Sequence, residues 1–251
     1  MKLATLFTVL PVTAASLLPR NETIPIKNVG ILLLSGFEPL DVFNPLDVLQ
    51  ITAFHHQLNL LLLARSLSPV TTAPSLPSMN PYNSSFYPSL TPTHTFAETL
   101  TQPESIDVLI VPGGPGVRNP DLDPEIAFVR AIYPHLKYLI TICTGSSVAA
   151  RAGVLDGKRA TTNKKAWGQV TPLGPKVKWV APARWVVDGN VWSSSGVTAG
   201  LDLIYAFVKE VFPDGDMLVE HIGGLTEYEP QTNSSYDPWA ETWEVPTQNV
   251  L

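Results

Sequence analysis

The chain has 251 residues, of which 45% are hydrophobic and 15% charged, a balance typical of one globular domain with a well-filled core. Its formal net charge is −6 and its longest basic cluster is the pair Lys164-Lys165, so we expect no binding to nucleic acid or to an anionic membrane surface. The single cysteine excludes an intramolecular disulfide.

The first sixteen residues have the pattern of a secretory signal peptide. A basic start at Lys2 precedes a short apolar stretch, and Ala14-Ala15-Ser16 is a typical cleavage zone. The stretch is too short for a membrane anchor and contains Pro11. We therefore expect a protein that is secreted or held in a secretory or vacuolar lumen, free of the membrane once residues 1–16 are removed.

Three Asn-x-Ser/Thr acceptors agree with that route and make the protein a candidate glycoprotein. They begin at Asn21, Asn83 and Asn233. All three lie in polar stretches outside the predicted core, although such triplets also arise by chance. Residues 17–27 are expected to form a short segment before the fold.

Apolar runs alternate with helical patterns between residues 28 and 152. In chain order we predict a strand over 28–34, a helix over 47–54, strands over 58–64 and 106–111, a helix over 124–133, a strand over 139–142 and a helix over 145–152. The 24 prolines crowd between residues 68 and 103, which indicates a long surface excursion. Continuous apolar strands alternating with helices predict an α/β fold whose parallel sheet is covered on both faces.

The second half of the chain has a different pattern. Two β-rich arms lie over residues 176–180 and 184–193. The second arm contains the pair Asp188-Gly189, which is a hairpin signal. Helical spacing then covers 198–212, and 216–222 can form one more short helix. The polar, proline-containing and aromatic stretch over 226–251 is predicted to be a tail draped on the surface.

The only cysteine, Cys143, lies between an apolar strand and the small residues that start a helix. A sharp turn at that point would lift the thiol out of the sheet, and the unpaired amides of the helix start would favour a thiolate. The alternative is a buried cysteine that acts as a small core residue. The residues around Cys143 leave both interpretations open.

Five motifs in order resemble the ThiJ/PfpI superfamily, and within it the isonitrile hydratase-like branch. The likeness runs from about residue 29 to about 224, and we assign the domain to residues 28–225. The motifs are Gly36-Phe-x-x-Leu-Asp-Val-x-x-Pro-x-x-Val48, Asp107-Val-Leu-Ile-Val-Pro-Gly-Gly114, Ile142-Cys-Thr-Gly-Ser146, Ala160-Thr-Thr-Asn163 and Ser195-Gly-Val-Thr-Ala-Gly-Leu-Asp202.

The resemblance implies a flavodoxin-like three-layer sandwich, usually a homodimer, with the cysteine on a nucleophile elbow. It makes Cys143 the nucleophile, Asp41 the neighbouring carboxylate and Thr144 a residue that positions the substrate or intermediate. The residues implied to bind substrate or to accept developing negative charge are Gly113, Gly114, Gly145, Asn163 and Gly196. Glycines allow the main chain to approach a ligand closely, and amides aimed at a developing charge stabilise it.

Asp41 has a simpler interpretation as a helix cap or a solvated loop residue. The Leu-Asp motif favours the catalytic one. A carboxyl beside a thiolate should have a raised pKa, and once protonated it can donate a proton. Glu38 is a nearby acid that does not match the motif position.

Asn163 occupies a position where many relatives of this kind carry a histidine, which removes a ready general base. The chain's histidines, interpreted as surface or satisfied helix residues, are His55, His56, His94, His135 and His221. We find no Cys/His/Asp spacing for a metal and no nucleotide-binding glycine pattern, and we predict no cofactor.

The leading hypothesis is a cysteine-dependent hydro-lyase that converts a small isonitrile into an N-substituted formamide. Two alternatives stay open: a glyoxalase- or deglycase-like enzyme that acts on 2-oxoaldehydes, and a non-catalytic binding or redox-sensing module in which Cys143 is oxidised.

Overall fold

The computed structural model describes residues 25–246. The predicted signal peptide, Asn21, most of the 17–27 segment and residues 247–251 lie outside the described residues. The strands are β1 (Asn28–Leu32), β2 (Asn59–Ala64), β3 (Val70–Thr71), β4 (Ser89–Leu90), β5 (His94–Thr95), β6 (Val108–Val111), β7 (Tyr138–Thr141), β8 (Arg159–Ala160), β9 (Lys178–Trp179), β10 (Trp185–Asp188) and β11 (Val191–Ser194). The helices are α1 (Pro39–Thr52), α2 (Phe96–Leu100), α3 (Asp123–Ile132), α4 (Ser146–Arg151), α5 (Trp167–Val170), α6 (Val197–Val211), α7 (Gly215–Thr226) and α8 (Trp239–Thr242).

Seven strands form the central sheet, in the order β10-β11-β7-β6-β1-β2-β5. Every neighbouring pair is parallel except the hairpin of β10 and β11. Helices α1, α6 and α7 pack together, and α3 packs with α4. The predicted α/β fold with a mostly parallel sheet is confirmed, as is the hairpin at Asp188-Gly189.

The inner strands β1, β6 and β7 are apolar along almost their whole length, and β6 is buried at every residue. Strands that are buried on both faces need such continuous apolar runs. Because these three strands are parallel neighbours, the turns that follow them meet at one edge of the sheet, where ligands gather in open α/β folds. This edge carries the candidate site.

Helix α1 begins at Pro39, well before the predicted start at residue 47. Proline is tolerated in the first turn of a helix because the amide it lacks has no partner there. Pro45, inside the helix, removes a backbone hydrogen bond and conceals the first two turns in the sequence pattern. The earlier start places Asp41 in the first helical turn.

The Pro-rich excursion is shorter than predicted. Its last part forms β5, which pairs with the end of β2, and α2, which begins with a capping box between Thr95 and Glu98. Phe96 then stacks on Phe128 of α3, with ring centroids 4.4 Å apart. The segment from His94 to Leu100 therefore belongs to the packed fold.

The first of the two predicted β-rich arms shrinks to β9, which pairs in parallel with β8 in a separate two-stranded sheet. Within the described residues, no helix is both long and apolar enough to pass through a bilayer.

The C-terminal tail lies on the surface but is anchored through buried charges. The Nζ atom of Lys164 lies 2.9 Å from Oδ2 of Asp237, and each side chain is about 1% exposed. Asp202 on α6 accepts hydrogen bonds from the hydroxyl of Tyr228 (2.6 Å) and the amide of Gln231 (2.9 Å). These contacts place the tail against the loop that follows β8 and against α6.

Candidate active site

Cys143 lies directly after β7, at the first residue of a short 3-10 turn that leads into α4. Its φ is 56°, in the left-handed region that residues other than glycine rarely adopt. This conformation costs roughly 1–2 kcal/mol, and such strain persists where surrounding contacts hold it in place. The predicted nucleophile elbow thus has the expected backbone strain, and the side chain is 7% exposed.

The turn closes because Gly145 passes against the end of β6. A Cβ atom on Gly145 would collide with the carbonyl oxygens of Val111 and Pro112. The carbonyl of Cys143 accepts hydrogen bonds from the hydroxyls of Ser146 (3.2 Å) and Thr162 (3.1 Å). Gly145 therefore fixes the shape of the elbow from inside the fold.

Asp41 lies beneath the elbow and is completely buried. Its Oδ2 accepts a hydrogen bond from the amide of Gly113 (2.8 Å), and its Oδ1 has no hydrogen-bond partner among the described residues. Burial raises the pKa of this carboxyl to about 7, the Gly113 amide acts in the opposite direction, and the charge of Glu38 adds to the rise. Asp41 is thus neither a cap nor a solvated loop residue, and its pKa lies near neutral pH.

The thiol of Cys143 is less acidic than its place near a helix start suggests. Burial raises its pKa above the ordinary value, and the nearby carboxylate of Asp41 raises it further. The amide of Thr144 and the side chain of Asn163 act in the opposite direction, since each hydrogen-bonds the sulfur. At neutral pH the free protein therefore holds a thiol, and a base must remove its proton when it reacts.

Two of the amides implied to accept negative charge have partners within the protein. The Gly113 amide donates to Asp41, and the Gly114 amide donates to Oγ1 of Thr144 at 3.0 Å. The Thr144 side chain thus ties the turn after β6 to the elbow. These two glycines hold Asp41 and Thr144 in place, and the donors that remain near the sulfur belong to Thr144 and Asn163.

Asn163 and Gly196 lie side by side on the far side of the elbow. A Cβ atom on Gly196 would lie 3.7 Å from Nδ2 of Asn163, a normal contact distance. Oδ1 of Asn163 accepts from the amide of Ala166 (3.1 Å), so its Nδ2 is directed away from that loop. The structure brings all eight predicted site residues to the same edge of the sheet.

A cleft of about 280 Å³ is lined by Cys143. Its walls include Glu38, Gly114, Thr144 and Asn163, and its rim includes further polar side chains. Clefts of about 480 Å³ lie elsewhere on the surface, but they do not include the cysteine. The site is therefore identified by its reactive residues and not by the volume of its cleft. The cleft has room for a small molecule.

Sequence reasoning missed several residues of this site. Arg118, Lys165 and Gln169 line the cleft, although they come from the turn after β6, the loop after β8 and helix α5. Lys164 is buried behind the elbow, where its amine contacts the carbonyl of Thr162 at 3.1 Å. The basic pair Lys164-Lys165 was the available signal, and only its neighbourhood shows that one lysine is buried and the other exposed.

None of the five histidines, all of which are described, lines the cleft over Cys143. Residues 25–246 also contain no group of three His, Cys, Asp or Glu side chains placed to hold a metal ion. Asn83 and Asn233 are exposed, as glycosylation requires. Glycosylation, secretion, a homodimer and independence from cofactors stay predictions.

The chain is similar in sequence to a known protein family and to characterised enzymes. The model of the DJ-1/PfpI family matches residues 27–210. An isonitrile hydratase of Pseudomonas putida is 34% identical over 186 residues, which cover 73% of this chain and 71% of that protein. A deglycase of Pyrococcus horikoshii is 35% identical over 109 residues, which cover 43% of this chain and 61% of the relative.

Other similar proteins extend the range of functions. An HTH-type transcriptional regulator of Pseudomonas aeruginosa is 30% identical over 100 residues, or 40% of this chain and 27% of the regulator. The crystal structure of a ThiJ/PfpI family protein from Pseudomonas syringae superposes with a TM-score of 0.65 at 26% identity, covering 88% of this chain and 84% of that one. Similar sequences thus include two enzymes and part of a transcriptional regulator.

Proposed function

Because the chain belongs to the DJ-1/PfpI family, we propose that it is a cysteine-dependent hydratase that converts small isonitriles into N-substituted formamides. Cys143 is the nucleophile and Asp41 the acid–base. The observation that carries the proposal is the state of Asp41: a fully buried carboxyl with a pKa of about 7 and one oxygen without a partner among the described residues, beside the sulfur. The similarity to an isonitrile hydratase supports the choice of substrate.

The reaction begins with a protonated thiol and an ionised Asp41. As Sγ of Cys143 attacks the terminal carbon of the isonitrile, Asp41 accepts the thiol proton. Asp41 then gives this proton to the same carbon, and the product is a thioimidate in which one S–C bond and one C–H bond have formed. A carboxyl whose pKa lies near the working pH suits both transfers, so no histidine is needed.

Water completes the reaction. Asp41 orients a water molecule and takes one of its protons while the oxygen adds to the thioimidate carbon. Asp41 passes this proton to the nitrogen, which forms the N–H bond. As the C–S bond breaks, the added hydroxyl becomes the C=O group, and its proton goes through Asp41 to the sulfur, so the thiol is restored. The balance is one isonitrile and one water consumed for each formamide. The Thr144 amide and the Asn163 side chain stabilise the sulfur when it leaves as a thiolate.

Turnover of an alkyl isonitrile, followed as formamide by mass spectrometry, tests the proposal. We expect Cys143→Ala to abolish turnover and Asp41→Asn to lower kcat by about 10²–10⁴-fold. Asp47→Asn is the matched control, because Asp47 is an exposed acid on the same helix. When hydrolysis of the thioimidate is slowed, the mass of the intact protein should increase by that of one isonitrile bound to Cys143. Normal turnover by Cys143→Ala would overturn the proposal.

A deglycase-like reaction on 2-oxoaldehydes is the second candidate, and the similarity to a deglycase favours it. The same thiol could add to an aldehyde carbon, with Asp41 passing the proton to the oxygen. A panel that pairs alkyl isonitriles with methylglyoxal separates the two reactions. The similarity to a regulator leaves a non-catalytic sensor as the third candidate, which stoichiometric oxidation of Cys143 without any turnover would support.

A further inference from the structure

Two cationic side chains, Arg118 and Lys165, line the cleft over Cys143. Arg118 ends the 3-10 turn after β6, and Lys165 lies in the loop between β8 and α5. Both are exposed. The chain as a whole has 16 cationic and 22 acidic residues, so two cations at this cleft contrast with the acidic character of the protein.

Both cations are held in place by neutral partners. Nε of Arg118 donates to Oε1 of Gln169 at 3.1 Å, and Nζ of Lys165 lies 5.2 Å from the ring centroid of Trp243 in the tail. No carboxylate of the described residues forms an ion pair with either cation. Their charges therefore stay available to a ligand, while their positions are restricted.

Buried cations elsewhere in the fold are neutralised. Nε of Arg184 lies 2.5 Å from Oδ2 of Asp202, and Nζ of Lys164 lies 2.9 Å from Oδ2 of Asp237. Glu38 is the one acid in the cleft wall, and burial raises its pKa, which weakens the repulsion it would exert on an anion. The side chains that line the cleft thus include two cations and one acid, although the protein as a whole is acidic and the buried Asp41 behind them adds a negative charge when it is ionised.

We infer that the substrate of the Cys143 cleft is a small electrophile that also carries a carboxylate, which Arg118 and Lys165 bind at the rim. This inference rests on the proposed function and narrows its substrate class. The cleft of about 280 Å³ has room for a compact molecule whose reactive carbon reaches the sulfur while its anionic end stays at the mouth. Two cations at the mouth of a cleft also attract anionic ligands toward it.

The first test compares two isonitriles of similar size, isocyanoacetate and its neutral amide. We expect kcat/KM for the anion to be about tenfold higher at low ionic strength, mainly through a lower KM. The double variant Arg118→Gln/Lys165→Gln should lose this preference, so that kcat/KM for the anion falls to about that for the amide. The control Lys176→Gln/Lys178→Gln changes net charge equally with two exposed residues that do not line the cleft, and should keep the preference.

A second test does not depend on turnover. The single cysteine allows alkylation of Cys143 to be followed by intact mass, with anionic iodoacetate and neutral iodoacetamide as probes. We expect the rate ratio of iodoacetate to iodoacetamide to exceed that of free glutathione, and to fall about tenfold in Arg118→Gln/Lys165→Gln but not in the control.

The two tests can fail separately. If neither isonitrile is hydrated, the proposed function is wrong, and the alkylation ratio alone decides whether the cleft prefers anions. If the ratio is the same in the wild-type protein and in Arg118→Gln/Lys165→Gln, or changes equally in the control, the inferred substrate class is overturned.

Discussion

Two buried polar clusters of this protein are both hidden from water and differ in whether the buried carboxylate has a cation beside it. In one, Lys164 contacts five oxygens, including Asp237 at 2.9 Å and Thr161 at 2.8 Å. In the other, Asp41 has one bonded oxygen and one without a partner among the described residues, beside a strained cysteine. Buried charges that form an ion pair hold structure together, whereas a half-paired carboxyl without a cation keeps a free position for a proton, water or substrate.

The largest effect is expected from breaking the paired cluster. Lys164→Met leaves Asp237 buried without its cation, which should lower the free energy of unfolding by about 3–5 kcal/mol. Urea denaturation followed by tryptophan fluorescence measures it. The double variant Lys164→Met/Asp237→Leu should recover most of the loss, because it removes both charges.

Lys176→Met is the control for that comparison. Lys176 forms an exposed pair with Asp156 at 3.2 Å, so its loss should cost less than about 1 kcal/mol. If Lys164→Met were as mild as this control, the tail would not be anchored by the buried pair.

In the half-paired cluster, the contribution of Asp41 to the free energy of unfolding should depend on pH. The pKa of Asp41 is raised from 3.8 to about 7 in the folded protein, so its contribution to stability is fully present below pH 3.8 and is lost as pH rises through about 7. Asn imitates the protonated carboxyl and escapes this loss. Asp41→Asn should therefore have little effect on the free energy of unfolding at pH 4 and should stabilise by roughly 2–4 kcal/mol at pH 8.

Unfolding in urea at the two pH values, with the half-exposed Asp156→Asn as control, checks this prediction. A stability difference between Asp41→Asn and the wild-type protein that is the same at both pH values would show that Asp41 has an ordinary pKa. Loss of stability with loss of activity would place Asp41 with the structural cluster instead.

The two clusters also differ in how far the sequence predicts them. Continuous apolar runs identify β6 and β7, and the small residues after Ile142 identify the elbow. The Leu-Asp motif identifies Asp41, although its place inside α1 was not foreseen because Pro45 conceals the start of the helix. All of these signals are local.

Lys164, Asp237, Arg118 and Lys165 give no such local signal. A lysine and an aspartate in polar stretches are expected at the surface. Only the return of the tail across the loop after β8 buries the first two, and only the meeting of the turns after β6 and β8 brings the cations to the cleft. Long-range contacts of this kind cannot be obtained from spacing or propensity.

The smallest predicted effect concerns the close packing on which the half-paired cluster depends. Gly145→Ala would force a methyl group against the carbonyl oxygens of Val111 and Pro112, and backbone atoms at the end of a central strand cannot move aside easily. We expect a loss of about 1–3 kcal/mol in the free energy of unfolding and a loss of activity, because the elbow shifts relative to Asp41.

Gly168→Ala is the matched substitution, since a methyl group there would meet no atom within 4 Å and the residue lies in α5. Alanine favours a helix over glycine by about 1 kcal/mol, so Gly168→Ala should be neutral or slightly stabilising, with normal activity. Thermal unfolding and turnover of both variants decide the point. If the two variants had the same stability and the same turnover, the elbow would tolerate displacement. The strained backbone of Cys143 would then not be needed for its reaction with Asp41.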